Sequence, residues 1–131
     1  MMIGVDVESV NRFKPFAAML AQPTYNGVLT QVYTPSERAY CLSRSRPYQH
    51  FAARFAAKEA FLKALGTGLV APIRWLDMTI LPNKAGKPVV TCQGYVQSIL
   101  SERRQRCWDV SISHTRDVAV AVVIIGAEHA Y

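Results

Sequence analysis

Apolar residues recur along this chain in two rhythms, and the switches between them mark its elements. Ile3, Val5 and Val7 alternate with Gly4, Asp6 and Glu8, the period-two pattern of a strand with Asp6 on its second face. A short helix is expected from about Ser9, with Pro15 either disturbing its middle or marking its start. Residues 22–33 hold Pro23, Asn26 and Gly27 and read as a loop. Thr34-Pro35-Ser36-Glu37 then combines a capping threonine, a proline suited to the first helical position and a glutamate that closes a capping box. That helix is expected to run to about Ser45, before Pro47.

A second helix is expected from about Gln49 to Leu65, ended by Gly66 in the left-handed conformation that other residues avoid. Residues 75–81 and 88–92 read as strands around a Lys84-Ala85-Gly86-Lys87 turn. Residues 94–106 place Val96, Ile99 and Leu100 on one helical face. The segments WDVSISH and VAVAVVIIG, separated by Thr115-Arg116-Asp117, make a hairpin. Its second strand is apolar on both faces and is therefore expected at the centre of a sheet. These elements compose one α+β domain spanning residues 1–131, an antiparallel sheet packed against helices.

The helix over 49–65 departs from an ordinary amphipathic pattern. At about 100° per residue, Phe51, Phe55, Phe61, Leu62 and Leu65 share one broad side, and six alanines from Ala52 to Ala64 share the other. A helix apolar all round lies between two surfaces, and alanines allow a sheet or a second helix to approach closely. Yet it carries Arg54 and Lys58, four residues apart, and Glu59 and Lys63, also four apart. Charges on a buried helix must be paired, bound to metal or aimed into a polar cleft. Spacing alone leaves pairing and chemistry both open.

Composition narrows the function classes. Half of the 131 residues are apolar, enough for a real core, and the net charge of +6 favours an anionic partner. Three scattered cysteines without a CxxC pair suggest neither a disulfide framework nor zinc, and fit reduced thiols in a cytoplasmic protein. No leader peptide is expected, because an acid follows at once where an apolar region should continue. The longest apolar run, Val118 to Gly126, is too short for a membrane span.

Asp6 is an unusual residue for mid-strand. It is either on a solvated face or, with Glu59, one of two hard oxygen ligands of the kind magnesium takes together with waters and phosphate oxygens. Ser111 and Ser113 share a strand face that ends at His114, at a turn where a ligand can reach it. No metal-ligand spacing links His50, His114 and His129. Arg44 and Arg46 either complement a helix C-terminus or grip a phosphate. The arginines at 103–106 read as a solvated face. A basic nucleic-acid-binding module accounts for the charge but leaves Asp6 and Glu59 unexplained, and no nucleic-acid motif is present.

In order and spacing, Gly4-Val5-Asp6, Arg12, Glu37 with Tyr40-Cys41, RFAAKEAFLKALGTG at 54–68, Gly86-Lys87-Pro88 and SISHT at 111–115 resemble one family. It is that of the small phosphopantetheinyl transferases, the holo-acyl-carrier-protein synthase type. The resemblance implies transfer of 4′-phosphopantetheine from coenzyme A to a serine of an apo acyl or peptidyl carrier protein, of fatty-acid synthesis or of a polyketide, peptide or specialised lipid pathway, releasing adenosine 3′,5′-bisphosphate. It implies Asp6 and Glu59 as magnesium ligands, Lys63 on the phosphates, and Arg54 and His114 on coenzyme A. Gly66, Thr67 and Gly68 would let the donor lie against backbone. Arg46, Ser113 and Lys58 complete the coenzyme A set, Lys58 being assigned either to phosphate or to a nearby carboxylate. Glu59 or a metal-held water would activate the serine. The resemblance further implies a homotrimer with sites between subunits, Asp6 facing Glu59 across or near an interface. Arg12 and Lys14 are the residues available to dock the carrier, fewer than family members often present there.

Overall fold

The computed structural model describes residues 1–127. Strand β1 (Met2–Ser9) leads through a 3₁₀ turn (Val10–Phe13) into α1 (Lys14–Leu20), then α2 (Pro35–Leu42) and α3 (Pro47–Leu65). Strands β2 (Met78–Pro82) and β3 (Pro88–Cys92), helix α4 (Gly94–Glu102) and strands β4 (Cys107–His114) and β5 (Val118–Gly126) follow. The architecture is α+β, as the pattern predicts. Among the described residues, five strands form two antiparallel sheets rather than one: β1-β5-β4, with β5 central as expected, and a separate β2-β3 hairpin. Among the described residues, no helix is long and apolar enough to cross a membrane.

Several boundaries shift for local reasons. Pro15 stands in the first turn of α1, where its missing N–H is harmless, so it marks the helix start and the residues before it form the 3₁₀ turn. Pro47 does the same for α3, which begins two residues earlier than expected. Helix α2 ends at Leu42, short of Ser45, and the loop over 22–33 contains a 3₁₀ turn, Val28–Gln31. Residues 75–77 form a 3₁₀ turn instead of strand, because the buried Asp77 carboxylate accepts from the amides of Arg74 and Val96. Helix α4 stops at Glu102 and Arg104 takes a left-handed φ of 56°. Arg103 is exposed, as expected, and its guanidinium also donates to the Leu65 carbonyl at 2.7 Å, which places a cation on the C-terminus of α3.

Helix α3 is the spine. Its alanine side lies on β1 and β5, and its phenylalanine and leucine side is buried against the other elements, the two-surface environment its sequence predicts. The fit to β1 is so close that a Cβ on Gly4 would collide with the Ala60 carbonyl oxygen. This contact inverts the simplest reading of β1. Its Gly4 and Asp6 side faces inward onto α3, and Ile3, Val5 and Val7 stand exposed.

One buried ion pair joins the layers. Lys58 Nζ lies 2.7 Å from Glu37 Oε1, with both side chains fully buried. The ammonium also donates to the carbonyls of Val32 and Trp75, and the carboxylate accepts from the amides of Thr34 and Ile80. Burial pulls the Lys58 amine below its usual range, and Glu37 opposes that shift. Glu37 thus closes the capping box of α2 and anchors both α3 and β2. Removing one partner strands the other charge, a loss of about 3–5 kcal/mol. Lys58→Met is therefore expected to lower unfolding free energy by that amount in urea titrations. A loss below about 1 kcal/mol would show that α3 does not depend on the pair.

Candidate active site

The inward side of β1 and the solvent border of α3 meet around carboxylates. Asp6 is buried because alternation turns it toward the helix and Gly4 lets the helix come close. Lys63 Nζ donates to Asp6 Oδ1 at 2.9 Å and to the Val5 carbonyl at 3.2 Å. That hydrogen bond and the carboxylate charge hold the Lys63 amine above its usual value. The second carboxylate oxygen, Asp6 Oδ2, is buried and has no hydrogen-bond partner. Glu59, half-buried one turn before Lys63, is near enough for Asp6 to act on it: burial first, then the Asp6 charge, raise its carboxyl above the ordinary range. Asp6, Glu59 and Lys63 therefore converge within a single chain.

A third carboxylate belongs to this group and escaped the sequence reading. Burial and the adjacent Asp6 push Glu8 up to about 7, and its Oε2 accepts from Arg12 at 3.2 Å. Glu59 adds to the same effect. The signal was available, since Glu8 lies two residues from Asp6 and so on the same strand face. Arg12 lies with its guanidinium 5.6 Å from the ring centres of Phe13 and Phe55, and Lys14 lies over Tyr48. The two basic residues assigned to carrier docking thus sit beside the carboxylate group and at the neighbouring end of α1.

Among the described residues, no three His, Cys, Asp or Glu side chains form a ready metal cage. The donor set nonetheless suits magnesium, which takes one or two carboxylates and completes its octahedron with waters and phosphate oxygens. Asp6 Oδ2, buried and without a hydrogen-bond partner, leaves a carboxylate oxygen open to such a cation.

The other assigned residues separate into two groups. Lys58 is withdrawn from the coenzyme A set: fully buried on Glu37, it has no face toward a ligand, and its alternative role, satisfying a carboxylate, is the one the structure carries. Gly66 and Gly68 adopt φ of 75° and 61°, and open space lies where their side chains would project. Thr67 between them keeps a buried hydroxyl without a partner. At the opposite end of α3, Arg54 is buried, donates to the carbonyls of Ile80 and His50, and stacks 4.5 Å from the Tyr40 ring centre. His50 fills the space between Tyr40 and His114, with ring centres 5.7 and 6.0 Å apart. Arg46 and Ser113 are exposed immediately before α3 and His114. His129 lies outside the described residues.

Known proteins resemble this chain over nearly its whole length. The sequence profile of the 4′-phosphopantetheinyl transferase superfamily matches residues 2–123. A holo-[acyl-carrier-protein] synthase of Syntrophotalea carbinolica is 40% identical over 122 residues, covering 93% of this chain and 92% of its own length. That of Chloroherpeton thalassium is 39% identical over 126 residues, covering 95% and 97%. Among solved structures, the Neisseria meningitidis synthase superposes with a TM-score of 0.80 at 28% identity, covering 95% of this chain and 96% of that one. The Helicobacter pylori synthase in complex with coenzyme A gives 0.78 at 27%, covering 95% and 100%.

The chain belongs to the 4′-phosphopantetheinyl transferase superfamily, as a member of its holo-acyl-carrier-protein synthase type. It is an enzyme that transfers 4′-phosphopantetheine from coenzyme A to a serine of an apo acyl carrier protein.

The contact between Gly4 and Ala60 gives a test of how the carboxylates are brought together. Gly4→Ala is expected to force β1 away from α3, at about 1–3 kcal/mol for the overpacking. Both the melting temperature and kcat/KM should fall. A variant with a lowered melting temperature but unchanged kcat/KM would show that the site tolerates this separation.

Proposed function

We propose that this enzyme works with magnesium held by Asp6 and Glu59, as a cytoplasmic homotrimer whose donor is coenzyme A. The observation that supports the metal most directly is the buried, unpartnered Oδ2 of Asp6 beside Glu59. Asp6 and Glu59 would hold the ion, which would supply charge neutralisation at the pyrophosphate. Lys63, already oriented by Asp6 and Val5, reaches the same phosphates with its free N–H. The carrier serine oxygen forms the new bond to phosphorus as the bond to the bridging pyrophosphate oxygen breaks, adenosine 3′,5′-bisphosphate leaves, and Glu59 takes the serine proton. Gly66 to Gly68 give the donor an open stretch of backbone. Arg54, Arg46, Ser113 and His114 bind its remaining polar groups. Arg12 and Lys14 meet the carrier.

The homotrimer is supported by the outer face of the β1-β5-β4 sheet. Ile3, Val5, Val7, Val122 and Ile124 all stand exposed there. A contiguous apolar face of this kind marks an interaction surface. A cavity of about 320 Å³ opens beside it, lined in part by Val122, Ile124, Ile112 and Lys87, which suits sites that lie between subunits.

Three measurements test this reading. Incubation with apo carrier protein, coenzyme A and magnesium is expected to add one phosphopantetheine to the carrier by intact mass. Chelation should abolish the adduct, and so should Asp6→Ala or Glu59→Ala with the far-UV spectrum unchanged. Activity retained by either variant removes that residue from the metal site. Val5→Glu is expected to convert a trimer to monomer in sedimentation velocity; an unchanged sedimentation coefficient would place self-association on another face, and a monomeric wild type would exclude it.

A further inference from the structure

Helix α3 passes into the backbone over Gly66–Gly68 through one peptide, that between Leu65 and Gly66. Its N–H donates to the Lys63 carbonyl at 3.0 Å, and the next amide, that of Thr67, donates to the Leu62 carbonyl at 3.3 Å. Its C=O is among the last carbonyls of the helix, which have no partner within the helix itself. Here that oxygen accepts from Arg103 Nη1 at 2.7 Å, across 38 positions of sequence. Gly66, at φ 75°, has no side chain to resist rotation of the peptide. Among the described residues, no backbone hydrogen bond holds the amides of Gly68, Leu69 or Val70. The Thr67 hydroxyl adds none, being buried without a partner. Arg103, by contrast, stands on a closed turn. It follows α4, whose Ile99 and Leu100 share a core with Leu65. Its N–H donates to the Ile99 carbonyl at 3.0 Å, and its carbonyl accepts from Gln105 Nε2 at 3.0 Å. Arg104 then reverses the chain at φ 56°, and the Gln105 amide returns to the Leu100 carbonyl at 2.8 Å. Among the described residues no carboxylate pairs with Arg103, so its charge-assisted bond to Leu65 meets no competitor.

We propose that Arg103 is a positioning residue for coenzyme A: it pins the Leu65–Gly66 peptide and so sets the path of the Gly66–Gly68 backbone against which the donor lies. The proposal rests on the reading, given above, of that backbone as a donor contact. Arg103 acts through the Leu65 carbonyl and not on the donor. Two blander reasons for the bond have different consequences. A cation at a helix C-terminus stabilises the helix, and with it the fold. A cation anywhere on the surface attracts a polyanionic donor, whichever arginine supplies it. A pinned peptide instead raises the share of molecules whose loop is ready to bind. When that share falls, the apparent dissociation constant rises in inverse proportion. The effect therefore falls on donor affinity and on the protection of the loop amides. Chemistry at Asp6, Glu59 and Lys63 is unchanged once the donor is bound.

The test compares Arg103→Gln with Arg106→Gln, the same charge change on an exposed arginine whose side chain makes no bond to α3. In calorimetric titrations with coenzyme A, Arg103→Gln should raise the dissociation constant about three- to tenfold, the worth of one modest hydrogen bond. KM should rise by the same factor, with kcat within about twofold of the wild type. Arg106→Gln should match the wild type in both. By NMR, the Gly66 and Thr67 amides of free Arg103→Gln should exchange with solvent faster by a like factor, while those of β5 keep their wild-type rates. If Arg103→Gln does not fold, Arg103→Lys replaces it and should show the same changes at smaller size. Coenzyme A that shifts the Gly66–Gly68 amide signals of the wild type, yet binds Arg103→Gln as tightly, overturns the proposal and leaves the loop as a donor contact. Equal weakening in Arg106→Gln overturns it as well, reducing the effect to net charge. So does a loss of unfolding stability with KM unchanged, which leaves Arg103 as a helix cap. Coenzyme A that binds without moving the loop signals removes the loop from the donor site, and the proposal with it.

Discussion

The pairing of Lys58 with Glu37 is the constraint from which the rest of the molecule follows. A fully buried ammonium is tolerable only with every proton committed, and here a carboxylate and two carbonyls accept them. Those acceptors come from α2, from the turn before it and from residue 75, so one side chain fixes the position of α3 against three other segments. Glu37 extends the reach to β2 through the Ile80 amide. Once α3 cannot rotate or slide, the residues on either side of Lys58 along the helix have defined directions. Glu59 and Lys63 face β1, and Arg54 faces Tyr40. Fully buried itself, the pair sets the direction of the other charges on the helix.

Helix α3 also separates charge. Toward its C-terminus it borders three carboxylates, Asp6, Glu8 and Glu59, with Lys63 as the direct counter-ion of Asp6. Toward its N-terminus it borders two guanidiniums and two imidazoles. The two ends of the helix thus offer a ligand opposite electrostatic environments.

Much of the fold was legible because it rested on local rules. The capping box at Thr34, the left-handed Gly66 and the β4-β5 hairpin depend on residues close in sequence, and each is observed. The alanine side of α3 correctly implied a close neighbour. What could not be read was direction. The alternation in β1 gives two faces without saying which is inside, and the burial of the Asp6 face was settled by Gly4 meeting Ala60, a contact between residues 56 positions apart. The partner of Lys58 lies 21 residues away on another helix, so the spacing Arg54–Lys58 was misleading about its role. Glu8 shares a strand face with Asp6 by the period of two, but the alternation does not say that this face closes on a helix, so its burial is not legible in the sequence.

Strand β1 has no spare face. One side holds Gly4 and Asp6 against α3, and the other carries Ile3, Val5 and Val7 on the surface proposed for self-association. Because the side-chain period is two, a register slip by one residue would exchange them, exposing the carboxylate and pressing a valine onto Ala60. Deletions and insertions within β1 are therefore excluded as routes of variation, while substitutions remain possible one face at a time. The length of this strand should be among the most rigidly inherited properties of the protein, held constant by two unrelated demands that share an alternating backbone.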